Sequence, residues 1–448
     1  YFTIQYHPRS KDKMDKKGVF ILCLFTILYI LLSYFTHRSD SIILLCSYSL
    51  LFISYVSFIY LADSYKLKQL FFSAFFIRLL ILFAIPNLSD DVYRFIWDGR
   101  LWLQGVDAYH FVPKYLVDNY PKLIDTELYK QINSPEYFTI YPPLNQLIFL
   151  GSAYFDNILY SILFIKLTVL SAEIFGLLGI YKLIKKGYIS EKTFILYAFN
   201  PLVILELVGN LHFEAFVICF LIWSVYFLNK RDTLRSGAFT GLAIGFKILP
   251  VLLLASFFKK FTFSKYLLFI SIALITALLS IIPLFNTHIF TGISESAQLY
   301  FQNFEFNASI YYLVRAIGYK IYGYNIIETA GPYITLVGIL SISIYNIYID
   351  SKVNIWERML FSWFIYCLFS MTVHPWYIVP MILFGSMSNY KFPVLWSFLI
   401  FFTYIGYTDQ GFQENLIVTA IEYILVLIFA VFEVYKKHFN HDKKINAA

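Results

Sequence analysis

Two adjacent carboxylates, Asp90 and Asp91, open the segment of this sequence that is richest in chemically reactive side chains. The segment is SDDVYRFIWDGR over residues 89–100. Adjacent carboxylates repel each other, so one of them must keep a proton or meet a cation. A carboxylate placed in this way could act as the general base that deprotonates a hydroxyl group. The alternative is structural, because aspartate is a favoured N-cap residue and the pair could cap a helix beginning at Val92.

Single charges inside apolar stretches form a second group of candidate residues. They are Arg78, Lys166, Glu173, Glu206, Glu214 and Lys247. Such groups are costly at membrane depth and usually line a cavity or meet a partner. Lys166 and Glu173 are seven residues apart and therefore share a helix face, which favours a mutual ion pair. Glu206 and Glu214 flank Gly209-Asn210-Leu211-His212, which indicates a tight turn facing an extracytoplasmic cavity.

Lys247 and His374 are candidates for binding a phosphate group. Lys247 lies between Gly245 and Pro250, where it could contact a phosphate, balance a buried glutamate or neutralise a helix end. His374 is followed by Pro375-Trp376-Tyr377 at the end of an apolar stretch. It could belong to the aromatic belt at a membrane surface, or it could bind phosphate through a partly protonated imidazole.

The composition determines the class of protein that must position these residues. The chain has 448 residues, of which 59% are hydrophobic and 14% charged, whereas soluble chains are about 45–50% apolar and about 25% charged. This composition excludes an ordinary soluble enzyme and a disordered chain. Long apolar stretches cover residues 19–36, 41–62, 70–85, 159–181, 193–209, 211–228, 266–285, 326–349, 357–373, 375–388, 393–408 and 415–434. We expect an all-α polytopic membrane protein with about twelve transmembrane helices.

Two further apolar stretches, 144–155 and 237–258, are expected to be re-entrant. The first is too short to cross a bilayer, and the second contains Gly241, Gly245, Lys247 and Pro250, which would interrupt a simple helix. A re-entrant 237–258 also allows every cluster of Lys and Arg to face one side of the membrane.

The distribution of basic residues predicts the orientation of the chain. The formal net charge of +7 comes from Lys and Arg between apolar stretches, which indicates membrane topology and no nucleic-acid partner. Because basic clusters stay in the cytoplasm, we expect one integral membrane domain with cytoplasmic segments at 1–18 and 435–448. Residues 86–143 then form a long extracytoplasmic loop that carries the acidic pair.

Several short motifs follow one another in an order that resembles a known family. They are Asp90-Asp91 with Trp97–Arg100, Gly105–Tyr109, Tyr141–Leu144, Phe199–Pro201, Gly209–Glu214, Gly241–Pro250 and His374–Tyr377. Together they resemble the polytopic glycosyltransferases of the GT-C superfamily, especially the mannosyltransferases that use a polyprenyl- or dolichyl-phosphate-linked sugar. The resemblance covers residues 70–380. The chain departs from many relatives in having two apolar spans before the helix that leads into the acidic loop.

The resemblance implies a reaction and a set of site residues. A hexose, expected to be mannose, would pass from a polyprenyl-phosphate donor to a glycan, glycolipid or protein acceptor, with inversion at the anomeric carbon. The base would be Asp90 or Asp91, with a slight preference for Asp90 because it lies three residues before Tyr93, the spacing found in relatives of the GPI-anchor pathway. The implied substrate-binding residues are Arg94, Asn210, His212, Glu214, Lys247, His374 and Tyr377.

The resemblance also implies where the enzyme works and what it binds. We expect an integral protein of the bacterial inner membrane, surrounded by lipid, with an extracytoplasmic active site. Some members of the superfamily hold a divalent metal at the acidic motif and many do not, and the adjacent pair Asp90-Asp91 is compatible with both. The sequence implies no other cofactor.

A transporter is the main alternative function. A flippase or secondary transporter of a lipid-linked glycan would also carry intramembrane charges and re-entrant segments. Such a protein is expected to show inverted repeats and charges at the membrane midplane, and neither an internal repeat nor a nucleotide-binding motif is visible in the sequence. The acidic pair in one large loop favours an enzyme.

The predicted orientation can be tested by cysteine labelling in intact cells. In a variant without the four native cysteines, Tyr120→Cys should react with an impermeant maleimide, because residues 86–143 are expected to face outward. Asn440→Cys should react only after permeabilisation. Labelling of position 440 but not position 120 in intact cells would show that the orientation is the opposite of the predicted one.

Overall fold

The computed structural model describes residues 16–61, 65–120, 125–285, 288–298, 304–408 and 410–445. The predicted cytoplasmic segments therefore lie partly outside the described residues, at 1–15 and 446–448, as do residues 121–124 of the predicted loop. Within the described ranges the chain is almost entirely helical. The strands found there are β1 (Tyr407–Thr408) and β2 (Gly411–Phe412), which pair antiparallel as a small hairpin.

The first seven helices bring the chain to and beyond the acidic pair. Three apolar helices come first: α1 (Lys16–Tyr34), α2 (Ser41–Leu61) and α3 (Leu67–Leu80). The described part of the predicted loop 86–143 contains three short helices: α4 (Asp91–Leu103), α5 (Pro113–Asn119) and α6 (Thr126–Tyr129). Helix α7 (Pro143–Ser152) begins at the last residue of the loop. Helices α4 and α7 pack against each other.

The central part of the chain forms a set of helices that pack as sequential neighbours. They are α8 (Ile158–Lys185), α9 (Glu191–Ala198), α10 (Pro201–Ile204), a π-helical turn (Leu205–Gly209), α11 (Glu214–Asn229), α12 (Thr233–Phe246), a 3-10 segment (Leu249–Lys260) and α13 (Phe263–Leu279). Helix α11 packs between α8 and α12, and α12 packs against α13. This arrangement carries the Gly209–Glu214 turn and Lys247.

The C-terminal part contributes the remaining wall of the protein. It comprises a 3-10 turn (Ile282–Leu284), α14 (His288–Gln298), α15 (Ile310–Tyr322), α16 (Ile327–Tyr348), α17 (Ile355–Phe369), a 3-10 turn (Pro375–Ile378), α18 (Val379–Ser388), α19 (Phe392–Leu399), a 3-10 segment (Ile400–Gly406) and α20 (Leu416–Ile445). Helix α17 packs against α16, α18 and the 3-10 segment that follows Lys247.

The prediction of a helical membrane protein is confirmed, but the count of about twelve crossings is not. By length and composition, six helices of the described chain are long and apolar enough to cross a membrane, or seven if one bent pair counts as a span. The six are Lys17–Tyr34, Ser41–Leu61, Ile158–Lys185, Phe263–Leu284, Ile327–Tyr348 and Leu416–Lys437. The bent pair joins Glu191–Ala198 to Pro201–Gly209 at 58°. Other predicted spans fold as shorter or interrupted helices, because prolines such as Pro375 and Pro393 stand at helix starts.

The break predicted within 237–258 is confirmed, and Pro250 explains its position. Helix α12 ends at Phe246, and Lys247 is extended, with φ −153° and ψ 131°. Since Pro250 has no backbone N–H, it cannot bond the carbonyl of Phe246 as the next helical turn would require. The Asn145 side-chain amide donates to that carbonyl instead, at 3.0 Å. The break therefore ties α7 to the end of α12 and turns Lys247 out of the helix.

The glycines of α12 have a different role from the one expected of them. Gly241 and Gly245 lie inside the helix and do not interrupt it. A Cβ atom on Gly241 would lie 2.4 Å from the carbonyl oxygen of Ala273, and one on Gly245 would lie 2.6 Å from Ser280 Oγ. The glycines therefore allow α13 to approach α12 closely, as small residues do between membrane helices.

The prediction of an ion pair between Lys166 and Glu173 is wrong. The Glu173 carboxylate instead accepts a hydrogen bond from Arg78 Nε at 2.5 Å, and both side chains are buried. The Lys166 ammonium donates to the carbonyl oxygen of Ile81 at 3.0 Å. Sequence spacing places Lys166 and Glu173 on one helix face, but the packing of α3 against α8 supplies partners that are nearer.

Candidate active site

The two carboxylates of the acidic pair have different surroundings. Helix α4 begins at Asp91, and Asp90 holds the N-cap position without a side-chain capping hydrogen bond. The Asp90 carboxylate forms an ion pair with Arg38, which comes from the connection between α1 and α2. The Arg38 guanidinium also lies over the ring of Tyr407, at 5.0 Å from its centroid. The Asp90 side chain therefore does not cap the helix, although Asp90 stands at the N-cap position.

Asp91 faces a cavity of about 430 Å³. Its Oδ1 accepts a hydrogen bond from the Asn133 amide at 2.8 Å, and its Oδ2 accepts one from the Tyr141 hydroxyl at 3.3 Å. Both partners are neutral. These two hydrogen bonds hold the carboxylate in place and are compatible with its use as a base.

The packing of α4 against α7 fixes the position of Asp91. A Cβ atom on Gly99 would lie 2.0 Å from the carbonyl oxygen of Phe149, so the two helices touch backbone to backbone at this point. Buried Asp98 accepts hydrogen bonds from Arg94 Nε at 2.8 Å and from Gln146 Nε2 at 3.0 Å. The acidic helix thus has one defined placement relative to α7.

The cavity has a polar end and an apolar end. The ionisable or amide side chains that line it are Asp91, Asn145, His212, Glu214, Lys247 and His374. One part of the apolar lining comes from Ile248, the 3-10 segment that follows it, α16 and α17: Ile248, Leu249, Val251, Leu252, Gly338, Ile339, Ile342 and Phe369. Phe95, Ile140, Pro142, Phe213 and Phe246 add apolar surface elsewhere in the cavity. Of the apolar lining residues, Ile248, Val251 and Ile339 are also exposed on the outer surface of the described chain.

Lys247 is paired with Glu214 at the polar end of the cavity. Its ammonium contacts the Glu214 carboxylate and lies 4.3 Å from the centre of the Tyr377 ring. The Lys247 side chain is 27% exposed and that of Glu214 is 4% exposed. The ammonium therefore has a counter-charge and an aromatic neighbour but still reaches the cavity.

Three aromatic rings stack along the cavity wall. The Trp376 ring lies between His212, at 3.7 Å between centroids, and His374, at 4.3 Å. The other side of His374 packs on Phe306, at 4.6 Å. Because both faces of the His374 ring are covered, its edge is the part that can meet a ligand.

His374 is held in its neutral form. It lies in the turn between α17 and the 3-10 turn Pro375–Ile378. Burial, followed by the charges of His212 and Lys247, lowers the pKa of His374 from 6.5 to about 3. The partly protonated imidazole expected from the sequence is thus not favoured, and His374 would offer a neutral N–H donor.

Two of the predicted binding residues, Arg94 and Asn210, do not line the cavity. Arg94 is buried, and besides Asp98 it bonds the carbonyl oxygens of Ser134 and Tyr137, at 3.0 and 2.9 Å. Asn210 Oδ1 accepts from the backbone N–H of Leu88 at 3.2 Å. Both side chains hold the segments around the acidic pair in position.

One family model matches the chain over residues 27–260, and it is described as the MptA/B family, alpha-(1→6)-mannopyranosyltransferase, N-terminal domain. The matched region covers more than half of the chain. The protein belongs to this mannosyltransferase family. No curated protein and no solved structure matches the chain.

Membership in the MptA/B family confirms the resemblance to GT-C glycosyltransferases and makes the chain an enzyme of mannosyl transfer. The transporter alternative is therefore set aside. The matched residues include the acidic pair, the Gly209–Glu214 turn and Lys247, whereas His374 and Tyr377 lie beyond the match.

Several residues of this mannosyltransferase's site carried no individual signal in the sequence. Arg38, Asn133 and Asn145 are ordinary polar residues in stretches without a distinctive motif, and only folding brings them to the site. Tyr141 and Trp376 belong to motifs that the sequence did single out, but their contacts with Asp91 and with the two histidines were not predictable.

The acidic pair of this mannosyltransferase does not form a metal-binding set. Asp90 is engaged with Arg38, and the partners of Asp91 are an amide and a phenol. Among the described residues, no group of three or more His, Cys, Asp or Glu side chains could hold a metal ion.

The depressed pKa of His374 predicts a pH dependence of stability. Unfolding restores the pKa to 6.5, so between pH 6.5 and about 3 the unfolded chain binds a proton that the folded chain does not. Stability should therefore fall as the pH falls through this range, by at most about 1.4 kcal/mol per pH unit. Thermal unfolding in detergent should show this slope, and His374→Gln should reduce it.

The exposed His37 provides a matched control for this measurement. His37→Gln should keep the pH slope of the wild-type enzyme, because folding does not bury the His37 side chain. Identical slopes in the wild type and His374→Gln would contradict the prediction.

Proposed function

We propose that this enzyme transfers mannose from a polyprenyl-phosphate-linked donor to a hydroxyl group of a glycan, glycolipid or protein acceptor at the extracytoplasmic membrane face. The observation that carries the proposal is the cavity in which Asp91 and Lys247 meet an apolar channel. If the product is α-(1→6)-linked, as in the family description, inversion requires a β-linked donor.

The apolar end of the cavity suits the lipid part of the donor. Ile248, Val251 and Ile339 line the cavity and reach the outer surface, which in a membrane protein faces lipid. A polyprenyl chain could therefore lie between the 3-10 segment Leu249–Lys260 and α16 while its phosphate enters the polar end. A donor without a lipid, such as a nucleotide sugar, would leave this channel unused.

The donor phosphate is placed between Lys247 and His374. An ammonium contributes charge and up to three hydrogen bonds, and the neutral imidazole edge contributes one N–H donor. Tyr377 supports the ammonium through its ring. Glu214 orients the Lys247 ammonium, and the phosphate replaces part of that interaction when it binds.

Asp91 is the proposed base, in place of Asp90. It is the member of the pair that lines the cavity, and its two hydrogen bonds orient the carboxylate without neutralising it. In the reaction the acceptor hydroxyl gives its proton to Asp91, its oxygen bonds to C1 of mannose, and the bond from C1 to the phosphate oxygen breaks. Asp90 supports the helix start through Arg38.

The proposed mechanism includes no metal-dependent step. Charge on the leaving phosphate is met by Lys247 and by hydrogen-bond donors of the cavity wall. Removal of divalent cations by a chelator is accordingly expected to leave transfer unchanged.

The function as a whole can be tested with purified protein in lipid. Polyprenyl-phosphate-mannose and membrane extracts of the source cells should yield a mannosylated product, and GDP-mannose should not replace the lipid donor. Mass spectrometry of glycolipids and glycoproteins from cells with and without the gene should then show which acceptor loses one hexose. Transfer from GDP-mannose alone would overturn the proposed donor.

The two members of the acidic pair should respond differently to substitution. Asp91→Asn keeps the shape but removes the basicity, and it should lower kcat by about 100-fold or more. Asp90→Asn loses a half-exposed ion pair and should cost less than about tenfold, because such pairs contribute little. The measurement is the rate of mannose transfer at saturating donor, with detergent melting to confirm folding. A larger loss for Asp90→Asn would assign the base to Asp90, and equal losses would contradict the assignment of the base to Asp91 alone.

Lys247 should affect donor binding beyond its role as a counter-charge. Lys247→Met leaves Glu214 buried without a cation, which should destabilise the protein, and Glu214→Gln in the same chain should restore stability. The double variant should still show a donor KM raised by about tenfold or more, because a charge-assisted hydrogen bond to the phosphate is missing. Glu214→Gln alone is the control. A double variant with wild-type KM would make Lys247 a purely structural partner of Glu214.

A further inference from the structure

Glu206 is a buried carboxylate directly behind His212. It lies in the π-helical turn Leu205–Gly209 and is fully buried. Its Oε1 accepts a hydrogen bond from the Tyr404 hydroxyl at 3.0 Å, and its Oε2 lies 3.2 Å from Nε2 of His212. Glu206 is not among the residues that line the cavity, whereas His212 is.

The contact between Glu206 and His212 is at the distance of an ion pair. The atoms Oε2 and Nε2 are both buried, and among the described residues neither forms a hydrogen bond, either with the other or with a further group. A buried carboxylate with a single hydrogen bond is costly unless a cation compensates it. His212 is the group placed to do so, since a protonated imidazole can meet the carboxylate through Nε2.

The backbone around His212 is built to hold this contact. Leu211, the residue before it, has a positive φ of 66° although it is not glycine, which is a strained conformation. The backbone N–H of His212 donates to the carbonyl oxygen of Glu206 at 3.2 Å. With Nε2 beside the Glu206 carboxylate and one ring face on Trp376, Nδ1 is the nitrogen left for the cavity.

Building on the proposed function, we propose that Glu206 is a positioning residue that keeps His212 oriented and positively charged, so that His212 stabilises the departing lipid phosphate. In the transfer step the electron pair of the bond between C1 and oxygen leaves with the phosphate, which changes from a monoanionic diester to a dianionic monoester. The imidazolium retains its proton and hydrogen-bonds the new charge. Such stabilisation acts where charge develops and therefore lowers the barrier more than it strengthens donor binding.

The other charged and titratable groups around His212 are compatible with this role. Tyr404 supports Glu206, and His374 lies on the opposite face of Trp376 in its neutral form. Lys247 is balanced by Glu214. Among these groups, His212 is therefore the one that can pair with the Glu206 carboxylate.

The test compares Glu206→Gln, His212→Gln and the double variant in the mannose transfer assay. Glu206→Gln should lower kcat by about 10- to 100-fold, with donor KM changed by less than about threefold. Because Glu206 acts through His212, the double variant should be no slower than His212→Gln alone. Fully multiplicative losses would overturn the proposal, and so would a folded Glu206→Gln enzyme with normal kcat.

Two further variants control for folding. Tyr404→Phe removes only the hydroxyl that holds Glu206 and should lower kcat several-fold in the same pattern, even if Glu206→Gln is unstable. Glu422→Gln alters another buried glutamate, one bonded to Trp396 and Asn307 away from the cavity, and should keep the wild-type kcat. Normal kcat in Tyr404→Phe together with loss in Glu422→Gln would show a general effect of buried glutamates and overturn the proposal.

The outcome is distinguishable from a failure of the proposed function. If the wild-type enzyme does not transfer mannose from the lipid donor, the function itself is wrong. If it does and the Glu206 variants lack the predicted coupling to His212, only the role of Glu206 is wrong.

Discussion

The hydrogen bond from Asn145 to the carbonyl of Phe246 joins the two halves of the candidate site. Pro250 leaves this carbonyl without a helical partner, and a buried unpaired carbonyl is costly, so the end of α12 needs a donor from outside. The donor comes from α7, the helix against which α4 is seated at Gly99. Through this bond the acidic helix and Lys247 are held on opposite sides of one cavity. The close approach of α13 along the glycines of α12 prevents the broken helix from shifting.

Charge compensation is the second constraint on the site. Lys247 pairs with Glu214 and Asp90 pairs with Arg38, and the buried Glu206 carboxylate lies 3.2 Å from Nε2 of His212. In a low-dielectric interior an unpaired charge would be expelled or neutralised. Asp91 differs, because its partners are neutral hydrogen-bond donors. A carboxylate that is oriented but not neutralised is the form a general base requires, which is why the proposal places the proton transfer there.

The aromatic stack explains how polar groups can stand beside an apolar channel. Trp376 separates His212 from His374, and the rings cover each other's faces. Polar ring atoms are then presented only at the ring edges. The apolar end, formed by the 3-10 segment after Lys247 and by α16, can accept hydrocarbon without desolvating a charge. A ligand that is half lipid and half sugar phosphate matches this division.

The sequence by itself determined the helical membrane class, the break at Lys247 and the glycosyltransferase family, because hydropathy, a proline's missing N–H and ordered motifs are local properties of the chain. It also named six residues that line the cavity, among them Asp91, Lys247 and His374. It did not determine the number of spans, since apolar stretches can fold as short or bent helices inside a bundle. Only the tertiary structure decided which carboxylate faces the cavity, that Arg78 and not Lys166 pairs with Glu173, and that Glu206 lies behind His212. These pairings join residues that are distant in sequence, and the choice between them depends on which helices pack together.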